Sequence, residues 1–291
     1  MLRIETIEKR IDNRQVLSGA SFEVEPGQIV GLLGRNGTGK TTMLRTIVGI
    51  YTPDSGKVTL DGIDVYAKPE VKRDLVFIPD APTALEGYKL GECGRMFARI
   101  YPNFDMGFFQ DTLRQFGLAE GQKVRKLSKG MKMLFSTTLG LATRARYILL
   151  DEPTNGVDVI AKKQLLTLMM ESLTPESGIV ISTHMLNELD RIADKIVLLR
   201  DGKTDEQWAL EQLRQHVRKL QIVFTDGASD QLLDQPCVHT LQQIGPVHTV
   251  LMESEDLYAL LKDNSKLLID ELPLTLEDWF TWKSGGDGDA A

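Results

Sequence analysis

Short apolar runs alternate with helical spacings over the first two hundred residues. Residues 147–150 and 178–182 are apolar nearly throughout, and residues 28–33 are apolar after Gln28. Runs this short, bounded by glycine or acid, predict strands buried on both faces. Residues 195–200 predict another strand, turning at Asp201-Gly202. Helical spacing predicts helices over 41–48, with Gly49 as a stop and Pro53 beyond it, and over 160–172 and 186–193. Residues 16–24 predict a strand that enters the turn Glu25-Pro26-Gly27, and 57–65 a hairpin arm turning at Asp61-Gly62. Helical patterns dominate from about 85 to 145, broken at Tyr101-Pro102-Asn103 and at Gly117. Strands alternating with helices predict an α/β fold built on a mostly parallel sheet.

The pattern changes after residue 204. Strands are predicted at 219–224, 237–244, 247–252 and 266–269, and helices at 256–261 and 276–282. Charge changes at the same place. Residues 204–291 hold 6 Lys and Arg against 16 Asp and Glu, a net of −10, while residues 1–203 hold 28 against 25, a net of +3. The expected organisation is a domain over 1–203 with a helical subdomain at about 85–145, an acidic α+β subdomain over 204–283, and a disordered tail over 284–291. An acidic segment argues against a nucleic-acid partner, because phosphate binding needs clustered Lys and Arg. The longest uncharged apolar stretch, at 133–143, is far short of the ~18–20 residues that span a membrane. Two cysteines, Cys93 and Cys237, are too few for a disulfide scaffold and fit a reducing cytosol.

Gly34-Arg35-Asn36-Gly37-Thr38-Gly39-Lys40-Thr41 fits the spacing G-x-x-x-x-G-K-[ST], between a predicted strand and a predicted helix. Its glycines let consecutive backbone N–H groups turn inward around an anion, and the following helix, which includes Thr42, points its N-terminus at the same place. Lys40 adds a point charge for the β- and γ-phosphates, and the Thr41 hydroxyl can ligate Mg²⁺. Asp151 and Glu152 end the strand at 147–150, where a carboxylate faces the ligand crevice of a parallel sheet. Asp151 is placed to hold Mg²⁺. Glu152 is placed to take a proton from attacking water.

Further motifs narrow this phosphate-loop NTPase. Leu127-Ser128-Lys129-Gly130-Met131 resembles the signature of ATP-binding cassette (ABC) ATPases. Pro153-Thr154-Asn155-Gly156-Val157-Asp158 resembles the run into that family's D-loop, and Ile181-Ser182-Thr183-His184 its switch histidine. The resemblance covers roughly residues 2–203. It implies the ABC fold: a mostly parallel sheet with an antiparallel β part and a helical subdomain. It also implies two cassettes packed head to tail, as homodimer or heterodimer, around two ATP molecules. Ser128, Gly130 and Asp158 would then act on the partner's nucleotide, and His184 on the γ-phosphate beside Glu152.

Three positions depart from the family's pattern. The signature carries Lys129-Gly130-Met131 where Gly-Gly-Gln is commoner, which adds a positive charge near the phosphates. Ile11 stands where an aromatic residue usually stacks on adenine, so it offers apolar contact alone. Asp80 replaces the glutamine of the segment after Val76-Phe77-Ile78-Pro79, as a candidate Mg²⁺ ligand. The signature, Pro79-Asp80 and a terminal Leu276-Glu277-Asp278-Trp279-Phe280 resemble the bacterial exporter branch tied to antimicrobial peptides and multidrug export. The expected function is the ATPase subunit of an exporter, peripheral on the cytoplasmic face of the membrane and driving a separate multi-span permease. The alternative is a soluble ABC ATPase with a regulatory role. A GTPase is excluded, because Asn155-Gly156-Val157-Asp158 lacks the lysine that guanine reading requires.

Overall fold

The computed structural model describes residues 1–224, 230–262 and 267–283. The proposed tail at 284–291, and Lys266 of the expected strand at 266–269, lie outside the described residues. The chain divides into two compact units, one of Met1–Met185 with Ile192–Gln207, the other of Leu186–Arg191 with the residues from Trp208 onward.

The first unit opens with strands β1 (Leu2–Ile11) and β2 (Arg14–Val24), then β3 (Ile29–Leu33) and helix α1 (Lys40–Ile47), then β4 (Ser55–Leu60), β5 (Ile63–Asp64) and β6 (Leu75–Ile78). Helices α2 (Leu90–Ile100), α3 (Met106–Gln115) and α4 (Lys129–Ala142) follow, then β7 (Tyr147–Asp151), α5 (Val159–Ser172), β8 (Gly178–Thr183), β9 (Lys195–Arg200) and β10 (Lys203–Ala209); α6 (Leu186–Ile192), between β8 and β9 along the chain, has its residues to Arg191 in the second unit. Two sheets result. One is antiparallel with order β2-β1-β4-β5. The other has order β10-β9-β3-β8-β7-β6, and its strands from β9 to β6 run parallel. Every residue of β3, β7 and β8 is buried, as unbroken apolar runs require of central parallel strands.

The sheet continues past the Asp201-Gly202 turn. The chain adds β10 outside β9, so the composition break at 204 falls within a strand. Ser21 N–H donates to the Thr204 hydroxyl at 2.9 Å, and Gln207 donates to the Ser21 carbonyl at 2.9 Å, which ties the start of β10 to β2.

Strand β1 escapes a simple alternation reading because its buried residues Leu2, Ile4 and Ile7 are spaced by two and then by three. The register with β2 shifts between Ile4 and Ile7, and Thr6 takes a φ of 46°, so a bulge restores the inward face. Gly56 lies against this bulge with a φ of 84°. A Cβ there would stand 2.4 Å from the carbonyl oxygens of Glu5 and Thr6.

The helices α2, α3 and α4 enclose their own apolar core of Leu90, Phe109, Leu113, Phe135 and Leu139. Between them, α2 stops before Pro102, and Gly117 adopts a φ of 67° after α3.

The second unit contains α7 (Leu210–His216), β11 (Arg218–Phe224), α8 (Asp230–Leu233), β12 (Val238–Ile244), β13 (Val247–Met252), α9 (Glu255–Lys262), β14 (Leu267–Leu272) and α10 (Leu276–Lys283). Its sheet is antiparallel with order β12-β13-β11-β14. Strand and helix order together make this a split βαβ arrangement of the ferredoxin type. Leu220 and Ile222 face the core they share with Leu232 and Leu261 of α8 and α9. Lys219, on the opposite face of β11, donates to both carboxylate oxygens of Asp278 in α10, at 2.9 and 2.8 Å. Helix α10 is capped reciprocally. Thr275 N–H and hydroxyl donate to Asp278 at 3.0 and 2.6 Å, and Asp278 N–H donates back to the Thr275 hydroxyl at 3.2 Å. Trp279 is fully buried.

Two predictions follow from these contacts. Gly56→Ala is expected to lower stability by about 2–4 kcal/mol, from left-handed strain plus the clash with two carbonyl oxygens. Gly62→Ala has a φ of 77° but no atom within 4 Å, so it is expected to lose about 1–2 kcal/mol, and urea unfolding compares the two. Burial raises the Asp278 carboxyl, but hydrogen bonds from Lys219 and Thr275 outweigh that and hold it below the usual carboxylate range. A group held lower in the folded state stabilises above its unfolded value of about 3.9 and loses that contribution as pH falls. Unfolding of the second unit is therefore expected to ease below about pH 4, and Asp278→Asn is expected to flatten that dependence.

Candidate functional site

The phosphate-type loop joins the C-terminal end of β3 to α1. Gly34 leaves the sheet where only glycine fits: a Cβ would lie 2.5 Å from the Thr38 hydroxyl oxygen and 2.6 Å from the Leu199 carbonyl oxygen. Gly37 and Gly39 take φ of 83° and 104°, a region closed to most side chains. Gly39 is the N-cap of α1 and offers no side-chain acceptor, so the first-turn N–H groups of the helix remain available to an anion. Lys40 is buried. Its ammonium donates to the Gly34 carbonyl at 2.7 Å and the Arg35 carbonyl at 3.3 Å, and stands 3.4 Å from Glu152 Oε1.

Strand β7 delivers two carboxylates to the same place. Asp151 is buried, and its Oδ1 accepts from the Thr41 hydroxyl at 3.0 Å and the Ser182 hydroxyl at 2.7 Å. Glu152 turns out of the strand with a φ of 47°. Such a backbone costs about 1–3 kcal/mol and must be held by its surroundings. Ser182 of β8 holds it: the Glu152 N–H donates to the Ser182 carbonyl at 3.0 Å and lies 3.2 Å from the Ser182 hydroxyl. The Glu152 carboxylate then spans two partners, Lys40 on Oε1 and His184 Nδ1 on Oε2 at 2.7 Å. Val16, Asn36, Gly37, Gly39, Lys40, Thr41, Thr42, Glu152, Asn155 and His184 line one cleft of about 280 Å³.

A sequence profile described as ABC transporter matches residues 17–155. The chain is 34% identical over 289 residues to the ABC transporter ATP-binding protein YtrB of Bacillus subtilis (strain 168), covering 98% of this chain and 99% of that one. The chain belongs to the ABC transporter ATP-binding proteins. The ABC-type transporter ATP-binding protein EcsA of the same organism is 31% identical over 228 residues, covering 75% of this chain and 88% of EcsA. A solved ATP-binding subunit of an ABC transporter superposes with a TM-score of 0.67 at 28% identity, covering 74% of this chain and 92% of that one. The α/β cassette fold is the one its sequence motifs imply.

In this cassette Ser128, Gly130 and Asp158 form a second cluster, and none of them is among the residues lining the 280 Å³ cleft. Ser128 caps α4 and accepts from the Met131 N–H at 3.3 Å. Asp158 caps α5, accepting from Ile160 and Ala161 at 3.1 and 3.0 Å. Gly130 brings the two caps together, since a Cβ on it would lie 3.1 Å from Asp158 Oδ2. Ile11 ends β1 opposite Arg14 and is not among the cleft-lining residues, whereas Val16 is. Arg35 is exposed at the loop tip. Asp80 lines a different cleft, of about 420 Å³, with Arg45, Phe97, Ser136 and Leu139.

Thr41 and Asp151 are the oxygen pair that suits Mg²⁺, which takes one or two protein oxygens and completes its shell with phosphate and water. Among the described residues no group of three or more His, Cys, Asp or Glu forms a metal site by itself. The donor set therefore fits an ion shared with a nucleotide rather than one caged by protein.

Sequence reasoning missed Ser182. It is a hydroxyl at the polar end of an otherwise apolar strand, inside the very motif that marked His184, and that position was the available signal. Ser182→Ala is expected to cost about 1–3 kcal/mol in urea unfolding, because the buried Asp151 carboxylate loses a donor and Glu152 loses part of its anchor.

Proposed function

We infer that the chain binds ATP with Mg²⁺ at the 34–42 loop, hydrolyses it within a head-to-tail pair of cassettes, and drives a separate membrane permease as an exporter. The placement of Glu152 carries this reading. Its carboxylate is fixed by His184 on one oxygen and Lys40 on the other, at the mouth of a loop built for phosphate. A triphosphate entering the loop offers Lys40 stronger partners than the Gly34 and Arg35 carbonyls, since charge-assisted bonds are roughly twice as strong as neutral ones. Exchange of those partners frees Glu152 Oε1 to accept a proton from water, while His184 keeps the carboxylate oriented. Bound Mg²⁺ would neutralise charge on the phosphates, held through Thr41 and Asp151.

Ser128, Gly130 and Asp158 do not line their own chain's cleft, which supports action on a partner's nucleotide, whether the pair is homodimeric or heterodimeric. A helix N-terminus and a hydroxyl both favour an anion there. Among the described residues no helix is long and apolar enough to cross a membrane. The reading assigns the spans to a separate permease on the membrane's inner face, and assigns the Asp80 cleft to its docking segment rather than to Mg²⁺. Export rests on the resemblance of residues 79–80, 128–131 and 276–280 to the exporter branch. The acidic balance after residue 204 leaves nucleic acid without a counterpart.

Glu152→Gln is expected to bind ATP within about twofold of the parent and to lose hydrolysis by about 10²–10⁴-fold, because an amide takes no proton from water. Size-exclusion chromatography with ATP is expected to show the variant accumulating as a dimer. Hydrolysis at the parent rate would remove Glu152 from the role of base.

A further inference from the structure

Residues 86–91 and 120–125 run antiparallel beside the start of α2 and make a short ribbon. Arg125 N–H donates to the Glu86 carbonyl at 3.2 Å, and Val124, Leu90 and Gly91 N–H donate to the Tyr88, Gln122 and Glu120 carbonyls, each at 3.0 Å. Leu90, Val124 and Leu127 are buried in the core of the helical subdomain, which fixes the ribbon to it. Lys89 and Lys123 stand directly opposite each other in the ribbon. Like charges so placed weaken the pairing that holds them. Lys89 is also the N-cap of α2, where it offers no acceptor to the first turn and opposes the helix dipole. One turn of 3₁₀ helix over Val124–Lys126 adds Arg125 and Lys126. Lys89, Arg125 and Lys126 are exposed and Lys123 is half-buried. The acids of the ribbon are engaged elsewhere: Glu86 pairs with Lys132 at 2.5 Å, Glu92 accepts from the Lys89 N–H at 2.8 Å, and Glu120 accepts from Gln110 at 3.0 Å. Among the described residues no carboxylate pairs with the side chains of Lys89, Lys123, Arg125 or Lys126. Stability of the fold therefore does not explain the four cations.

We propose that this cationic ribbon docks the chain on anionic phospholipid headgroups. The proposal rests on the part of the reading above that places the chain on the inner face of a membrane, beside a separate permease. The surface of that leaflet is negative and attracts clustered Lys and Arg within a Debye length. A permease loop does not complement the ribbon, because cytoplasmic loops carry an excess of Lys and Arg of their own. The acidic segment of a second copy complements it poorly as well, since its carboxylates hold its own bases: Glu255 and Glu271 hold Arg218, and Asp278 holds Lys219. The four cations are set on a rigid backbone with their charges unspent, so docking on headgroups costs little ordering of the chain.

The test is co-sedimentation of the full chain with vesicles, with ATP hydrolysis in their absence measured alongside. Vesicles of phosphatidylcholine carrying one quarter phosphatidylglycerol are expected to bind the parent and to release it at about 0.5 M salt, where screening shortens the reach of the charges. Vesicles of phosphatidylcholine alone are expected not to bind it. Lys123→Gln is expected to weaken partition about fivefold, and Lys89→Gln, Lys123→Gln and Arg125→Gln together about a hundredfold. The triple variant is expected to unfold thermally no lower than the parent, because it relieves the Lys89–Lys123 opposition. Lys68→Gln with Lys203→Gln removes two exposed cations elsewhere on the chain and is expected to leave partition within about twofold. Equal binding to both kinds of vesicle overturns the proposal, as does a triple variant that binds like the parent or a Lys68–Lys203 double variant that loses as much. A lowered unfolding midpoint in the triple variant assigns the cations to the fold and also overturns it. Duplex DNA that displaces the vesicles at equal phosphate concentration assigns the ribbon to nucleic acid. Self-association of the parent without vesicles, abolished in the triple variant, assigns it to the acidic segment of a second copy. Either result overturns the proposal. If the parent hydrolyses ATP and ignores anionic vesicles, the proposal alone falls. If it binds them through the ribbon and hydrolyses no ATP, the ATPase reading falls and the docking stands.

Discussion

A buried ammonium at the C-terminal edge of a parallel sheet sets the terms for everything around it. A buried ammonium such as that of Lys40 needs oxygen partners, because an uncompensated buried charge costs several kcal/mol. The loop supplies two carbonyls, and β7 supplies Glu152. Those partners come from strands that are adjacent only because β3, β8 and β7 lie side by side. The same cation that organises the resting site is the one a phosphate would recruit, so folding and binding draw on a single group.

Ser182 links the acidic pair to that arrangement. One hydroxyl bonds the Asp151 carboxylate and stands beside the Glu152 N–H, which lets two neighbouring acids adopt different backbones and different tasks. Asp151 continues the strand and stays buried beside Thr41. Glu152 leaves it through a left-handed turn and reaches His184. Strain at Glu152 is thus localised at the residue whose carboxylate meets Lys40 and His184, and the cost is borne by strand pairing around it.

The antiparallel sheet and the second unit rest on simpler physics. In the first, a bulge at Thr6 lets three unevenly spaced apolar residues share one face, and Gly56 makes room for it. In the second, helices α8 and α9 bury one face of a four-stranded sheet, and a Lys219–Asp278 pair fastens α10 through the other.

The amino-acid sequence by itself determined the features that depend on neighbours along the chain. The glycines at 34, 37 and 39 demand a loop of unusual backbone wherever they occur. The unbroken apolar runs at β3, β7 and β8 demand burial on both faces. Tyr101-Pro102 and Gly117 stop helices by local sterics. These made the phosphate loop, the parallel sheet, the helical subdomain and the acidic pair legible. Tertiary structure decided what depends on distant partners. Uneven spacing hid β1, because a bulge is defined by its partner strand. A seven-residue helix, α7, hid in a polar stretch with only Leu210 and Leu213 buried. The end of the first unit lies beyond the charge boundary, since β10 is fixed by Ser21, more than 180 positions away. Thr41 meets Asp151 across 110 positions, Glu152 meets Ser182 across 30 and His184 across 32. No local pattern encodes such pairings. They exist because parallel strands with both faces covered align their C-terminal ends, and that alignment is a property of the packed sheet.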